Sequence, residues 1–286
     1  MDISTASKYQ TIAKYIKTGE GRSRIAASFT QPLRQRRDYQ SVGRRAFYVE
    51  QLLDGQLPIW DKDANVTAFV IGAEGQNIQC VQKPPRVFFD LFEIASNPEI
   101  SITKIREKRF DVLERSLDLA RSAIMAQEDR YVFATMDALA ASATNPNPVI
   151  QVTGNLTSNV LIDAKAAVER NDIRVANIFM NAKDYNDLLK FDRDTLSPEY
   201  QTQLLKNGLM ANIWGINIIV SRIVAEGDVY VCGEPEFFGR IPVRQDLTVL
   251  SADDPRNRMV GFSVFEMIGC GLWNPLAMSK IQITRV

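Results

Sequence analysis

The 286 residues contain no histidine. Ser-His-Asp and Cys-His nucleophiles, HExxH zinc sites and any imidazole general base are therefore excluded. Three close carboxylate pairs remain: Asp61/Asp63, Asp192/Asp194 and Asp253/Asp254. Paired carboxylates can share acid and base roles or hold a hard cation. Each pair lies beside turn-forming residues, however, where caps, turns and solvation account for it. Asp253/Asp254 could take a cation, but nothing else in the sequence supports one. Lys83 and Lys280 would act as nucleophiles only if desolvated. No G-x-x-x-x-G-K-S/T is present, and no G-x-G-x-x-G follows a strand. Gly19-Glu20-Gly21 lacks the helix start that a phosphate cradle needs. No catalytic residue, cofactor or metal site is expected.

Charge is the other chemistry on offer. Net charge is zero, with 34 cations and 34 anions, but it is unevenly spread. Residues 1–45 hold ten cations against Asp2, Glu20 and Asp38, a balance of +7 offset by −7 in the remainder. Arg34, Arg36, Arg37, Arg44 and Arg45 form the densest run. Such a run is either a solvated stretch or a contact for an acidic protein surface or nucleic acid. No recognition module accompanies it, so sequence-specific DNA reading is not expected. Cys80, Cys232 and Cys270 are odd in number, lack metal spacing and lie in apolar stretches, which reads as buried thiols in a reducing compartment. No signal-peptide apolar region and no run of about 18 apolar residues is present. The expected protein is soluble and made in the cytosol.

These groups need elements to position them. Residues 1–50 are polar, without sustained period, and Pro32 interrupts them. Alone they bury too little surface to offset ordering. Residues 58–86 read as a hairpin: Val66, Ala68 and Val70 alternate with Thr67, Phe69 and Ile71, GAEGQN turns, and Ile78 to Val81 returns. A two-stranded ribbon is marginal unless packed on another surface. The stretch FFDLFEIASNPEI follows. Residues 106–141 then read as one helix of roughly 54 Å. Its apolar stripe is Phe110, Leu113, Leu117, Ala120, Ile124, Tyr131 and Met136, and its polar face includes Glu107, Lys108, Glu114, Arg115, Arg121, Glu128 and Asp129. Beyond TNPNP the pattern predicts a helix from Thr157 or Ser158 to about Arg170 and a buried strand over Val175 to Met180. Asn181 to Asp184 forms a capping box for a helix over 182–190. A second helix starts at Ser197-Pro198-Glu199 and ends near Gly208. Strands follow at 213–220, 229–232, 237–243, 246–250, 258–271 and 275–285, with a tight turn at Glu226-Gly227-Asp228. Trp60, Trp214 and Trp273 read as core or subunit-interface residues.

This order carries a resemblance. Residues 175–191, VANIFMNAKDYNDLLKF, and residues 213–233, IWGINIIVSRIVAEGDVYVCG, give a strand, a helix opened by Met-Asn, a Trp-Gly strand and an acidic-Gly turn. With the basic arm, hairpin, FFDLFEIASNPEI and long helix ahead of them, they resemble the tailed-phage major capsid protein of the Hong Kong 97-like fold. The resemblance covers nearly the whole chain and is topological more than literal. It implies an α+β fold with an N-arm over 1–55, an E-loop hairpin over 56–88, and a P-domain with a long spine helix over 89–149. An A-domain over 150–250 and strands returning to the P-domain over 251–286 complete it.

Function is implied in the same way. Copies would assemble as hexamers and pentamers into an icosahedral shell enclosing double-stranded DNA, a virion component assembled in the host cytoplasm. Scaffolding, portal and cement proteins would be partners, DNA would be held without sequence reading, and no membrane would be involved. The short arm favours a separate scaffolding protein, and no lysine–asparagine crosslink pair is evident. The arm arginines would face neighbours or DNA, and Trp60, Phe69, Ile71 and Ile78 would meet neighbours through the hairpin. An encapsulin-type nanocompartment is the rival within that fold. A histidine-independent enzyme on an α+β domain is the rival from another class.

Overall fold

The computed structural model describes residues 39–63, 85–101, 112–143, 145–191, 212–254 and 256–285. The chain divides into two compact units. Among the described residues the smaller unit comprises 39–40, 95–125 and 247–265, and the larger comprises 41–94, 126–246 and 266–285. No helix among the described residues is long and apolar enough to cross a membrane.

The larger unit is built on a six-stranded sheet. Its strands are β6 (Ile150–Thr153), β7 (Val175–Met180), β8 (Asn212–Ile213), β9 (Ile216–Val220), β10 (Asp228–Gly233) and β14 (Met278–Thr284), in the order β6-β14-β10-β7-β9-β8. Strand β10 lies centrally, antiparallel to β7 (Tyr230 opposite Phe179) and to β14 (Val229 opposite Ile281). Strands β7 and β9 run parallel, as do β14 and β6. The near-continuous apolar run of β7 is the pattern of a strand covered on both faces, and five of its six residues are buried. Helix α2 (Ser158–Glu169) buries Leu161, Ala164 and Val168 and packs on β14 and β10.

Local chemistry explains most element ends. Asn181 caps α3 (Ala182–Leu188) by accepting from the Lys183 amide at 3.1 Å. The expected capping box is only half formed, because Asp184 turns away to the Gly227 amide and Arg285. The expected strand over 213–220 is instead the hairpin β8–β9, broken at Trp214 (φ 50°) and Gly215 (φ 79°). Positive φ at both central residues gives the turn whose twist suits a two-residue hairpin.

A second six-stranded sheet is ordered β1-β11-β12-β4, with β13 (Gly271–Leu272) on β11 and β5 (Glu99–Ser101) on β12. Its main strands are β1 (Tyr48–Gln51), β4 (Leu91–Ser96), β11 (Gly239–Ser251) and β12 (Met259–Gly269). The strands expected at 237–243 and 246–250 are one strand, β11, of 13 residues. No glycine or proline interrupts Arg244-Gln245-Asp246, and the Asp246 carboxylate bonds Arg44 rather than closing a turn. Pro235 starts a single helical turn, α4 (Pro235–Phe238), so β11 begins later than the apolar pattern suggests. Residues 46–52 belong to the larger unit: Ala46 and Phe47 are buried, Phe47 stacks on Phe238 at 5.0 Å, and β1 runs parallel to β11. The arm boundary read at residue 55 therefore falls inside folded chain.

Helix α1 (Val112–Ala140) has 29 residues and spans about 43 Å. Its expected start at residue 106 lies outside the described residues. Ala120 and Ile124 are buried in the smaller unit, and Val132, Phe133, Met136 and Ala140 in the larger. Phe133 packs on Phe179 and Tyr230 at 5.8 and 5.7 Å. Two expectations for α1 fail. Tyr131, read as part of the apolar stripe, is exposed and leans on Phe92 at 4.3 Å. Glu128 and Asp129, read on the solvent face, are buried, because they lie four residues before Val132 and Phe133 on the packed side. In the smaller unit β5 pairs with β12 (Glu99 opposite Gly261), and Ile100 and Val264 are buried. The helix expected from Ser197 to Gly208 and the hairpin strands over 66–71 and 78–81 lie outside the described residues.

Candidate functional site

The larger unit's first residues, 41–45, are clamped by acids. The 3-10 turn Gly43–Arg45 presents its amides to Asp129, which accepts from Ser41 Oγ (2.9 Å), Val42 N (2.9 Å) and Gly43 N (2.8 Å). A Cβ at position 43 would sit 2.6 Å from Asp129 Oδ1, so only glycine fits that approach. Arg44 completes the clamp. Its Nε donates to Glu128 at 2.8 Å, one Nη to Glu266 at 3.2 Å and the other to Asp246 at 3.3 Å. The Glu128 and Glu266 side chains are each 1% exposed, whereas Asp246 is 59% exposed. Burial pushes the Glu266 carboxyl up to about 7, with Glu128 adding to the rise. Burial also raises Glu128, against the opposing pull of Arg44.

The base of the ribbon is pinned on one face and bare on the other. Strands β2 (Ile59–Asp61) and β3 (Arg86–Phe88) pair antiparallel, which confirms the foot of the expected hairpin. Trp60 packs on Phe89 at 5.4 Å. The Arg240 guanidinium lies 5.6 Å from the Trp60 ring, 5.5 Å from Tyr48 and 4.8 Å from Trp273, and forms an ion pair with Glu50. Lys62 Nζ donates to the Trp273 carbonyl at 2.8 Å. The opposite face carries Ile59 and its cross-strand partner Phe88, 41% and 58% exposed, beside Leu57 at 65%.

The predicted site residues divide accordingly. Arg44 is engaged within the subunit and Arg45 is exposed. Trp60 is half-buried and packs on Phe89, with the Arg240 guanidinium over its ring. Arg34, Arg36, Arg37, Phe69, Ile71 and Ile78 lie outside the described residues. Sequence reasoning missed Glu128, Glu266, Arg240, Leu57 and Phe88. Only Glu128 carried a signal, its spacing of four from both Ile124 and Val132.

Lys280 is no nucleophile. Burial opposes its charge, yet hydrogen bonds to Asp137 (2.6 Å) and Asp228 (2.9 Å) hold its pKa above the ordinary lysine value. Tyr230 donates to the same Asp137 at 2.6 Å, and burial with that acceptor keeps its phenol protonated. Cys232 is buried and Cys270 half-buried, and burial raises both thiols. Asp254 closes a turn by accepting from the amides of Arg256 and Asn257, and Asp61 pairs with Arg86, which bears out the turn and surface reading of those acids. Among the described residues no group of three or more His, Cys, Asp or Glu could hold a metal ion.

A family model described as phage capsid protein matches residues 99–281. No curated protein matches the sequence. Among solved structures, the capsid of the cyanophage P-SCSP1u is similar at a TM-score of 0.71 and 12% identity, covering 90% of this chain and 92% of that one. A chain from Gordonia phage Cozz gives 0.67 and 15%, covering 90% of each. The capsid of a native GTA particle gives 0.57 and 16%, covering 90% of this chain and 96% of that one. At these identities the likeness shows a common fold, the Hong Kong 97-like one, reached by quite different sequences.

Proposed function

Because the chain belongs to the phage capsid protein family, we propose that it is a major capsid protein whose copies form hexamers and pentamers of an icosahedral shell around double-stranded DNA. The family match across residues 99–281 carries the reading. Family membership assigns a structural role, and the absent histidine and the protonated Lys280 accord with it. The proposed division is an N-terminal arm up to about residue 40, an E-loop rising from the β2–β3 foot, a P-domain containing α1 and the β11–β12 strands, and an A-domain built on the six-stranded sheet of β6 to β10 and β14. Assembly takes place in the host cytoplasm with scaffolding, portal and possible cement proteins, and the product is the virion shell.

Physical support comes from the ribbon foot. Exposed apolar side chains scattered singly are ordinary, but Leu57, Ile59 and Phe88 form a group on an element that its own subunit has pinned. In a closed shell many such modest heterologous contacts add up. The basic run Arg34, Arg36 and Arg37 supplies phosphate-neutralising charge without base reading.

Electron microscopy of the expressed full chain tests the reading. Shells containing double-stranded DNA in phage-infected cells, or empty shells on expression alone, are expected. Compact monomers under all conditions would overturn it, and shells filled with an enzyme cargo would favour a nanocompartment. Deletion of residues 1–38, which stops short of the clamp at 41–45, should leave folded subunits that fail to form normal particles.

A further inference from the structure

The clamp on residues 41–45 sets one cation, Arg44, among four carboxylates, Glu128, Asp129, Glu266 and Asp246, of which all but Asp246 are buried. Asp129 takes its donors from the turn, and one guanidinium serves both buried glutamates. Glu266 Oε1 shows the deficit directly: it is buried and meets no hydrogen-bond partner. An ionised carboxylate with an orphaned buried oxygen is costly, and taking up a proton removes the charge and supplies a donor. Arg44 comes from the 3-10 turn, Glu128 from α1 and Asp246 from β11, and Asp129 follows Glu128 on α1. The Cys270 thiol, next along the chain beyond β12, feels Glu128 and stays neutral, its pKa pushed up to about 12.

We propose that this clamp is a proton-gated latch on residues 41–45, shut while one proton is held by the Glu128–Glu266 pair and opened when that proton leaves to solvent. With the proton bound, Arg44 faces two carboxylates' worth of charge, and Asp129 holds the turn through three donors. With the proton gone, the buried acids repel one another and Glu266 has one unsatisfied oxygen. The least costly relief is to move Arg44 and the turn outward and admit water. Residue 41 lies four positions beyond Arg37, the last of the run Arg34, Arg36 and Arg37. The rise of Glu266 to about 7 puts the change near neutrality. The latch belongs to the single subunit, so its test does not depend on shell formation.

Hydrogen exchange on dissociated full-length subunits, corrected for intrinsic rates, reads it. Between about pH 5.5 and pH 8.5 the amides of Val42 and Gly43 should lose roughly tenfold protection while the β7 amides keep theirs. Glu266→Gln should abolish the dependence. A flat wild-type profile, or the same loss in E266Q, overturns the proposal. Should E266Q fail to fold, infrared titration of the wild-type subunit decides: a protonated buried carboxyl that disappears near neutral pH is expected, and full ionisation of every carboxyl well below pH 6 sinks the latch.

Discussion

Arg44 and Arg285 both bind buried carboxylates in the larger unit, but the two clusters are balanced differently. Arg285 reaches Asp184 at 2.6 Å and Asp187 at 2.9 Å, and Lys190 adds a second cation at 3.0 Å from Asp187. The Gly227 amide donates to Asp184 and the Leu156 amide to Asp187, so all four carboxylate oxygens have donors. Burial would raise Asp187, yet those hydrogen bonds take it below the usual carboxylate range. Arg44 serves both buried glutamates, and there burial prevails, lifting Glu266 and Glu128. The same residue types therefore make a permanent staple at one place and a titrating one at another. The deciding quantity is the number of donors per buried oxygen.

The largest expected effect tests the staple. Arg285→Ala would leave Asp184 and Asp187, 0% and 2% exposed, with much of their compensation gone. Breaking such a pair should destabilise the subunit by on the order of 3 kcal/mol, read as a lower urea midpoint. Next comes Asp129→Ala, which strands the Val42 and Gly43 amides and should cost about 2 kcal/mol. A loss under about 0.5 kcal/mol would mean that the clamp contributes little to holding the turn.

The pH response should separate the clusters with opposite signs. Glu266 has a folded value of about 7 against an ordinary 4.5, so the native state binds its proton more tightly. Its contribution is complete below 4.5 and is lost as pH rises through about 7. Asp187 is depressed below 3.8, so its contribution is complete above 3.8 and is lost as pH falls beneath that value. Urea midpoints across pH should fall on both sides of a maximum, and E266Q should flatten the alkaline side alone. The smallest stability effect belongs to the ribbon's outer face. Leu57→Ser with Phe88→Ser should shift stability within about 0.5 kcal/mol, since both side chains are already exposed, while lowering the yield of assembled particles. A large loss of subunit stability instead would show that this face is buried by its own chain.

Legibility followed the range of the interactions. The succession β7, α3, β9 and β10 could be read because each element announces itself within a few residues. Val175–Met180 is continuously apolar, Asn181 is a cap, and Gly227 turns with a φ of 89°. The hairpin over 58–86 was readable for the same reason, but the pairing of Ile59 with Phe88 at its foot came from the structure. The break at Trp214-Gly215 was not, because an apolar run with one glycine looks like a single strand until the backbone takes positive φ twice. The joining of two expected strands into β11 escaped notice because Asp246 found Arg44 rather than a local turn.

Composition and local pattern were enough to exclude histidine chemistry and to set out a long helix between a basic start and a strand-rich end, while the fold family came from the resemblance that residues 175–191 and 213–233 carry. These depend on residue types and short spacings, which the chain carries wherever it goes. Burial of charge is another matter. Arg44 meets Glu128 across 84 residues and Glu266 across 222, and no local rule brings the three together. Desolvation is set by whatever packs on a group from distant parts of the chain, so the ionisation of these acids became a property of the protein only once the strands and α1 had closed around them.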